Sequence, residues 1–192
     1  MPGLIVPSLR EVVSSLYGAW RLARFDPQGM RFFDTTLGGF WRSFFAAVIV
    51  APAYVVVVLS VADEGRHADP LRFGLAESIG YVLSWVVFPL VMEWLSRRLG
   101  RRARYLSYIT AYNWAAVIEH LLLLPVLMIT SHSVLPDALG HILWLLTLAF
   151  VLAYAWFVTR TALAVTVATA AAIVGLDIAL SYAISSVTVS LQ

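Results

Sequence analysis

The chain has 192 residues, of which 61% are hydrophobic and only 12% are charged. A soluble domain is nearer half apolar and a quarter charged, and a chain of this size cannot bury so much apolar surface in a core of its own. The composition therefore argues against a water-soluble enzyme, a nucleic-acid-binding protein or a disordered chain, and it favours an integral membrane protein. There are no cysteines, which excludes disulfides, thiolate metal ligands and cysteine nucleophiles.

Residues 1–37 form a predicted cytoplasmic or interfacial segment rather than a folded domain. Pro7 and Ser8 favour the start of a helix, and Pro27 and Gly29 favour its end. Between these positions apolar side chains recur at helical spacing, namely Leu9, Val12, Val13, Leu16 and Trp20. The pattern predicts an amphipathic helix that lies in the membrane interface. The alternative is a short helix docked on the bundle.

Residues 38–192 hold five apolar stretches, each long enough to cross a bilayer core of about 30 Å as a helix. They run over about 40–61, 73–95, 106–129, 139–159 and 163–187. A ten-residue alternating pattern typical of a membrane β-barrel is missing. The sequence therefore predicts an all-α, polytopic membrane bundle of five transmembrane helices. The turn between the fourth and fifth spans has the weakest sequence signal, and it is predicted at Arg160 and Thr161.

All thirteen basic residues are arginine, and their distribution predicts the orientation of the bundle. With five crossings, the segment before the first span, the loop after the second and the turn after the fourth share one side. Eleven arginines fall on that side, and only Arg66 and Arg72 fall on the other. The prediction is a bacterial inner-membrane protein with a cytoplasmic N terminus and a periplasmic C terminus.

A basic turn follows the second span and contains Arg97, Arg98, Arg101, Arg102 and Arg104. Arginines beside a span attract anionic headgroups, at about 1 kcal/mol each near a charged leaflet. We therefore expect the bilayer, and anionic lipid in particular, to be a partner of this turn. The alternative is that the arginines only set orientation.

Ionisable groups at mid-membrane cost about 2.5–3.5 kcal/mol each on insertion scales, so each needs a reason. Glu119 and Asp177 lie near the middle of the third and fifth predicted spans, with no lysine in the chain and no arginine at that depth. Polar neighbours on the third span complete a predicted intramembrane polar centre, namely Tyr112, Asn113 and His120. Two interpretations of Glu119 and Asp177 are possible. They form a carboxyl pair that relays a proton or cation, or they form a hydrogen-bonded pair that joins helices.

The remaining polar and small residues have structural interpretations. Glu93 is expected to pair with Arg97 four residues on, while Glu77 and His141 are expected to be wetted interfacial groups. Small residues recur every fourth position on the last span and favour close approach of another helix, namely Ala171, Gly175, Ala179 and Ala183. Prolines inside three spans should kink them, at Pro52, Pro89 and Pro125.

No pattern supports a metal site, a cofactor or catalysis. The four histidines, His67, His120, His132 and His141, have no metal-ligand spacing. There is no phosphate-binding loop, dinucleotide fingerprint, nucleophile elbow or zinc-protease motif. The sequence therefore predicts a non-enzymatic protein without cofactors.

The layout of five spans after a cytoplasmic segment resembles the Ypt/Rab-interacting five-span membrane protein family, including its bacterial members. The resemblance covers about residues 35–190. Ser78-Ile79-Gly80-Tyr81 resembles that family's intramembrane Gly-Tyr element, and Ala111-Tyr112-Asn113-Trp114 resembles an aromatic-polar stretch of bacterial relatives. The resemblance implies a non-enzymatic membrane-organising or scaffold role.

We therefore expect an accessory, scaffold or membrane-organising protein that packs against other membrane proteins or against itself. The alternative is a small proton-coupled transporter or channel subunit that uses Glu119 and Asp177. A transporter should give water a path to both carboxyls, whereas a scaffold should bury them against protein.

Overall fold

A computed structural model describes residues 6–61, 70–131 and 135–191. This part of the chain is helical throughout and contains no strand. The α-helices are α1 (Leu9–Ala23), α2 (Leu37–Ser43), α3 (Phe45–Val61), α4 (Pro70–Arg98), α5 (Tyr105–Ser131), α6 (Asp137–Leu163) and α7 (Val167–Leu191). Short 3-10 helices occupy Pro27–Phe32 and Arg102–Arg104. The loops predicted at 62–69 and 132–134, with Arg66, His67 and His132, lie outside the described residues.

Five helical segments are long and apolar enough to cross a membrane, which confirms the predicted fold class. They are Leu37–Val56, Leu71–Arg98, Arg102–Thr130, Asp137–Leu163 and Val167–Ser190. The first span is interrupted at Phe44, where α2 ends and α3 begins. The chain is thus a multi-pass membrane protein with five candidate spans. The second, third and fourth spans extend beyond their predicted bounds at both ends, whereas the first ends earlier and the fifth begins later than predicted.

The turn between α6 and α7 is three residues later than its predicted place at Arg160 and Thr161. α6 continues to Leu163, and the chain reverses through Ala164, which has a left-handed backbone with φ of 49°. Thr166 then caps α7, because its hydroxyl accepts the Thr169 N–H at 3.2 Å. Neither glycine nor proline marks this turn, so composition could not locate it.

The helix α5 lies at the centre of the bundle and packs against α1, α2, α3, α4 and α6. The last span, α7, packs against α4 and α6. Bulky buried side chains concentrate towards one end, which also holds the basic turn and the end of α6. They include Phe88 and Met92 from α4, Tyr108 and Trp114 from α5, and Val158 from α6. We call this end the arginine-rich end; Arg104 donates there to the Ala162 carbonyl at 3.5 Å.

The predicted N-terminal helix is present as α1, and it docks on the bundle at the arginine-rich end. The Ser8 hydroxyl caps it by accepting the Glu11 N–H at 3.2 Å. The helix ends before Pro27, at a turn in which Phe25 has φ of 57°. The Tyr154 hydroxyl of α6 donates to the Ala19 carbonyl at 2.8 Å and ties α1 to the spans.

The buried face of α1, which packs against the 3-10 helix at Pro27–Phe32 and against α5 and α6, is made largely of small residues, namely Ser15, Gly18, Ala19, Leu22 and Ala23. Larger apolar and aromatic residues point away from the bundle, and Leu9, Val13 and Trp20 are 79%, 58% and 46% exposed. A helix that buries small residues and exposes large apolar ones suits lipid contact on its outer side. That α1 lies in the interface stays a prediction.

Candidate functional site

The predicted polar centre is divided among three places, although four of its five residues share α5. A step of about 100° per residue turns neighbouring side chains to different helices. Tyr112 is directed to α7, Asn113 to α2 and His120 to a groove beside α3. Each place has its own chemistry.

Tyr112 and Asp177 join α5 to α7. The Tyr112 hydroxyl lies 3.1 Å from both carboxylate oxygens of Asp177 and donates its proton to them. The Tyr112 ring stacks on Phe88 of α4, with centroids 4.6 Å apart, so three helices meet here. Packing of the ring fixes the direction of its hydroxyl, and the hydroxyl in turn fixes Asp177.

Glu119 lies two turns further along α5 and is half-buried, as is Asp177. The spacing of seven residues places Glu119 on roughly the same face of α5 as Tyr112, which binds Asp177. No hydrogen bond to Glu119 is formed by the side chains that the structure describes. The two carboxyls thus share one region of the bundle, but only Asp177 has a direct partner there.

Asn113 serves as a clamp between α5 and the start of the first span. Its amide donates to the Ser43 hydroxyl at 2.8 Å, and Ser43 donates to the Phe40 carbonyl at 2.7 Å. Asn113 and Ser43 are fully buried. Within the described ranges, the Asn113 Oδ1 and Thr110 Oγ1 atoms are buried without a hydrogen-bond partner. Asn113 therefore does not contribute to the Asp177 region.

His120 points into an apolar groove rather than towards Glu119. Its Nδ1 lies 2.7 Å from the Ala116 carbonyl, and its ring is nearly parallel to Trp85 at 6.3 Å. The groove has a volume of about 400 Å³ and is lined by α3 and α5, together with Leu16 of α1. Apart from His120, its lining is entirely apolar.

An ion cluster that sequence reasoning missed holds the N-terminal segment to the first span. Arg42 donates through Nε to both Glu11 oxygens at 2.9 and 2.8 Å, and through Nη2 to Asp34 at 2.6 Å. Burial of Asp34 opposes ionisation, but hydrogen bonds from Thr36 and Arg42 outweigh it and lower the pKa of Asp34. Glu11 and Arg42 are 31 residues apart, so no local spacing in the sequence predicts that they pair.

Glu77 also has a partner that its sequence position did not predict. The Tyr54 hydroxyl of α3 donates to Glu77 of α4 at 2.7 Å. The Tyr54 ring lies 4.7 Å from that of Tyr81, whose hydroxyl donates to the Ala47 carbonyl at 2.6 Å. The predicted wetted group is thus a hydrogen-bonded link between spans one and two, whereas His141 is exposed.

The basic turn presents several arginines at the surface. Arg97 pairs with Glu93, which confirms the predicted spacing of four. Arg98 lies over the Trp94 ring at 5.3 Å, and Arg101 and Arg102 are exposed. Among the described residues no carboxylate pairs with Arg98, Arg101 or Arg102. Their charge is available to an anion.

The donor groups do not form a metal site in the part of the chain that the structure describes. No group of three or more His, Asp or Glu side chains converges there. Asp177 is held by a tyrosine and His120 by a backbone carbonyl. His67 and His132 lie outside the described residues, so the expectation for them stays a prediction.

Comparison of the chain with known protein families, with curated proteins and with solved structures gave no match. The interpretation of the site therefore depends on its geometry. The resemblance to the Ypt/Rab-interacting family stays a prediction from layout and short motifs.

Proposed function

We propose that this chain is a non-enzymatic inner-membrane protein of a bacterium, which acts as an accessory, scaffold or membrane-organising component. It works by packing a helix face against another membrane helix. The observation that supports this most is the outer face of α7. The resemblance to the Ypt/Rab-interacting five-span family is part of the proposal, because that family implies the same kind of role.

The four small residues of α7 all face away from the bundle. Ala171, Gly175, Ala179 and Ala183 are exposed, whereas Ala170, Ile173 and Thr188 form the buried side. A Cβ added at Gly175 would meet no atom within 4 Å. These residues are therefore not used for packing within the described bundle.

Such a face suits a second helix better than it suits lipid. Small residues let two helix backbones approach closely, and packing rather than the hydrophobic effect drives helix association in membranes. Tyr182 and Ser186 lie seven residues after Gly175 and Ala179, which places hydroxyl groups on the same face. Tyr182 is 76% exposed. The Ser186 hydroxyl donates to the Tyr182 carbonyl at 2.9 Å, so the face offers close approach together with the Tyr182 hydroxyl as a donor.

The test is association in a bilayer of defined composition, measured by energy transfer between labelled copies. A native pull-down from membranes of cells that express the chain then identifies the proteins that associate with it. The double variant Gly175→Leu/Ala179→Leu should lose the association, because two added side chains hold the helices apart. Ala153→Leu, at an exposed site on α6, is the matched control and should keep it. Equal behaviour of the two variants in both assays would reject the α7 interface.

The basic turn supports a cytoplasmic location for the arginine-rich end. Arg98, Arg101 and Arg102, which pair with no carboxylate of the described residues, stand at the ends of two spans, where anionic headgroups of the inner leaflet would neutralise them. Replacing these three by glutamine should weaken retention of anionic lipid in native mass spectrometry. If the retention of anionic lipid is unchanged, the arginines of the turn do not bind lipid and serve only to set the orientation of the spans in the membrane.

A proton-coupled transporter or channel subunit is the second candidate, and the Asp177 region favours it. Two half-buried carboxyls near mid-span, of which only Asp177 accepts a hydrogen bond from a described side chain, are suited to exchanging a proton or cation. Proton flux into proteoliposomes, followed with a pH-sensitive dye, distinguishes the candidates. Transport predicts flux that Asp177→Asn and Glu119→Gln abolish. The scaffold proposal predicts no flux and unchanged association in both variants.

A further inference from the structure

A cleft on the outer side of α1 is not used by the contacts described so far. It has a volume of about 360 Å³ and is lined by Tyr17, Trp20, Arg21, Arg24 and Asp26. The opposite side of α1 carries its buried residues. The cleft therefore faces the surroundings of the bundle.

The charges in the cleft do not cancel. Arg21 donates through Nε to Asp26 at 2.7 Å and also reaches Asp26 through Nη2. The Gln28 N–H donates to Asp26 at 2.9 Å, and with the bond from Arg21 it lowers the pKa of Asp26, which keeps the carboxylate charged. Arg24 has no carboxylate within ion-pair distance among the described residues. The cleft thus holds two guanidinium groups against one carboxylate.

The Arg24 guanidinium is held in place by an aromatic ring. It lies 4.8 Å from the centre of the Trp20 ring, four residues earlier. Arg21 lies over Phe32 at 5.5 Å and near Tyr17 at 6.0 Å. Stacked guanidinium groups keep their N–H donors directed outwards in fixed geometry, which suits a phosphate.

The same tryptophan–arginine pair occurs three times at the arginine-rich end. Trp94 and Arg98 close α4, and Trp156 and Arg160 lie in the last turns of α6, each pair at 5.3 Å. Tryptophan is enriched at the headgroup level of a bilayer, with its ring half in the apolar phase. The repetition indicates that α1, α4 and α6 meet the headgroups of one leaflet.

The end of α1 sits against α6 near the third pair. Phe25, next to Arg24, packs edge-on against Phe157 with ring centres 5.3 Å apart. Phe157 is the neighbour of Trp156. The cleft therefore lies near the level of the Trp156–Arg160 pair.

We propose that this cleft binds the phosphate of an anionic phospholipid. Arg24 and the free donors of Arg21 face the phosphate, and the rings of Tyr17 and Trp20 pack against the glycerol. The acyl chains follow the exposed apolar side of α1, at Val13 and Leu9. The apolar neighbours select a lipid over free phosphate, and the excess positive charge selects an anionic headgroup over a zwitterionic one. This site is separate from the basic turn.

The first measurement is retention of phosphatidylglycerol against phosphatidylcholine of equal chain length, by native mass spectrometry of the full chain. Arg24→Gln should lower the preference for phosphatidylglycerol about fivefold, the effect expected of one basic residue at a charged surface. Arg31→Gln is the matched control, because Arg31 is exposed in the same segment but does not line the cleft. It should keep the preference within twofold. An equal loss in the two variants, or no loss in either, would overturn the proposal.

The second measurement keeps both arginines of the cleft and does not depend on how the arginine variants fold. Phosphatidylglycerol brominated along its chains should quench the part of the tryptophan emission that is lost in Trp20→Phe. Brominated phosphatidylcholine should quench that part less. Soluble glycerol phosphate, which has no chains, should not relieve the quenching at millimolar concentration. Relief by glycerol phosphate, or equal quenching by the two lipids, would show that the occupant is not an anionic phospholipid.

Discussion

The Tyr112–Asp177 hydrogen bond shows how this chain places a carboxyl inside a membrane bundle. An aspartate at mid-span is costly unless it is paired, and no basic residue lies at that depth. The solution is a tyrosine hydroxyl at 3.1 Å from both oxygens, with its ring stacked on Phe88. Glu119 has no such donor among the described residues. The two carboxyls therefore differ in how firmly they are held.

Removing the hydroxyl by Tyr112→Phe should lower the free energy of unfolding by about 0.5–1.5 kcal/mol, the usual range for one hydrogen bond, including those inside membrane bundles. The loss arises because Asp177 keeps its burial but loses its donor. Unfolding in mixed detergent micelles measures it. Tyr182→Phe removes the same atom from a residue that is exposed on the outside of the bundle, so it should not change the unfolding of the monomeric protein. Equal stabilities for the two variants would mean that the Tyr112 hydroxyl does not stabilise the fold.

The Arg42 cluster makes a prediction about pH. The folded-state pKa of Asp34 is lowered below its unfolded value of 3.8. Its stabilising contribution is therefore present above about pH 4 and is lost as the pH falls through the lower folded-state value. Thermal unfolding followed from about pH 5 to about pH 2 should show this loss, and the unfolding temperature of Asp34→Asn should fall less steeply over the same range. Parallel pH profiles for the two proteins would contradict the role given to Asp34.

For individual residues, the sequence predicted which intramembrane side chains are polar and deeply placed, but it did not predict which side chains they contact. Depth in a span singled out Asp177, and Tyr112 was predicted to belong to the same polar centre as a neighbour on the third span. Asn113 and His120 follow in the same stretch, yet they turn to Ser43 and to an apolar groove. The faces of a central helix are assigned by its neighbours in space, and a single sequence does not contain that information.

Among the helices, the contact between α4 and α7 depends on a glycine. A Cβ at Gly80 would lie 3.1 Å from Cγ2 and 3.3 Å from Cβ of Thr188, and closer still to its hydroxyl. Thr188 is buried in this contact. The glycine of the predicted Gly-Tyr element thus permits close helix approach, and Tyr81 beside it bonds to the Ala47 carbonyl.

Gly80→Ala should destabilise the bundle by about 1–3 kcal/mol through overpacking, offset by up to about 1 kcal/mol of helix propensity. Gly74→Ala is the control on the same helix, because a Cβ there meets no atom within 4 Å. It should be neutral or slightly stabilising. The second change Thr188→Ala should rescue Gly80→Ala. If Thr188→Ala does not restore stability, overpacking against Thr188 is not the cause of the destabilisation by Gly80→Ala.

Helix boundaries were predictable to the extent that residues mark them. Ser8 begins α1 as expected, and all three intramembrane prolines lie inside helices. The turn after α6 was misplaced because it uses Ala164 in a left-handed conformation instead of a glycine. Tertiary contacts hold such a turn; one is the bond from the Trp156 indole to the Val167 carbonyl at 3.2 Å.

Over the whole molecule, packing is uneven. The arginine-rich end contains the large buried side chains and the docked α1, whereas towards its C-terminal end α7 exposes Tyr182, Val187 and Val189. An outer face of this kind is where the proposed helix partner would bind. The composition and the arginine distribution predicted the five spans, but nothing in the sequence predicted this asymmetry.

The proposed role and both proposed lipid sites require a five-span arrangement whose arginine-rich end lies in the cytoplasm. The chain contains no cysteine, so a single introduced thiol reports its own side of the membrane without background. Ala103→Cys lies in the basic turn, and Ser190→Cys lies at the end of α7; both positions are exposed. A membrane-impermeant maleimide should label Ser190→Cys in intact spheroplasts and label Ala103→Cys only after permeabilisation. Labelling of both from the same side would contradict the five-span arrangement.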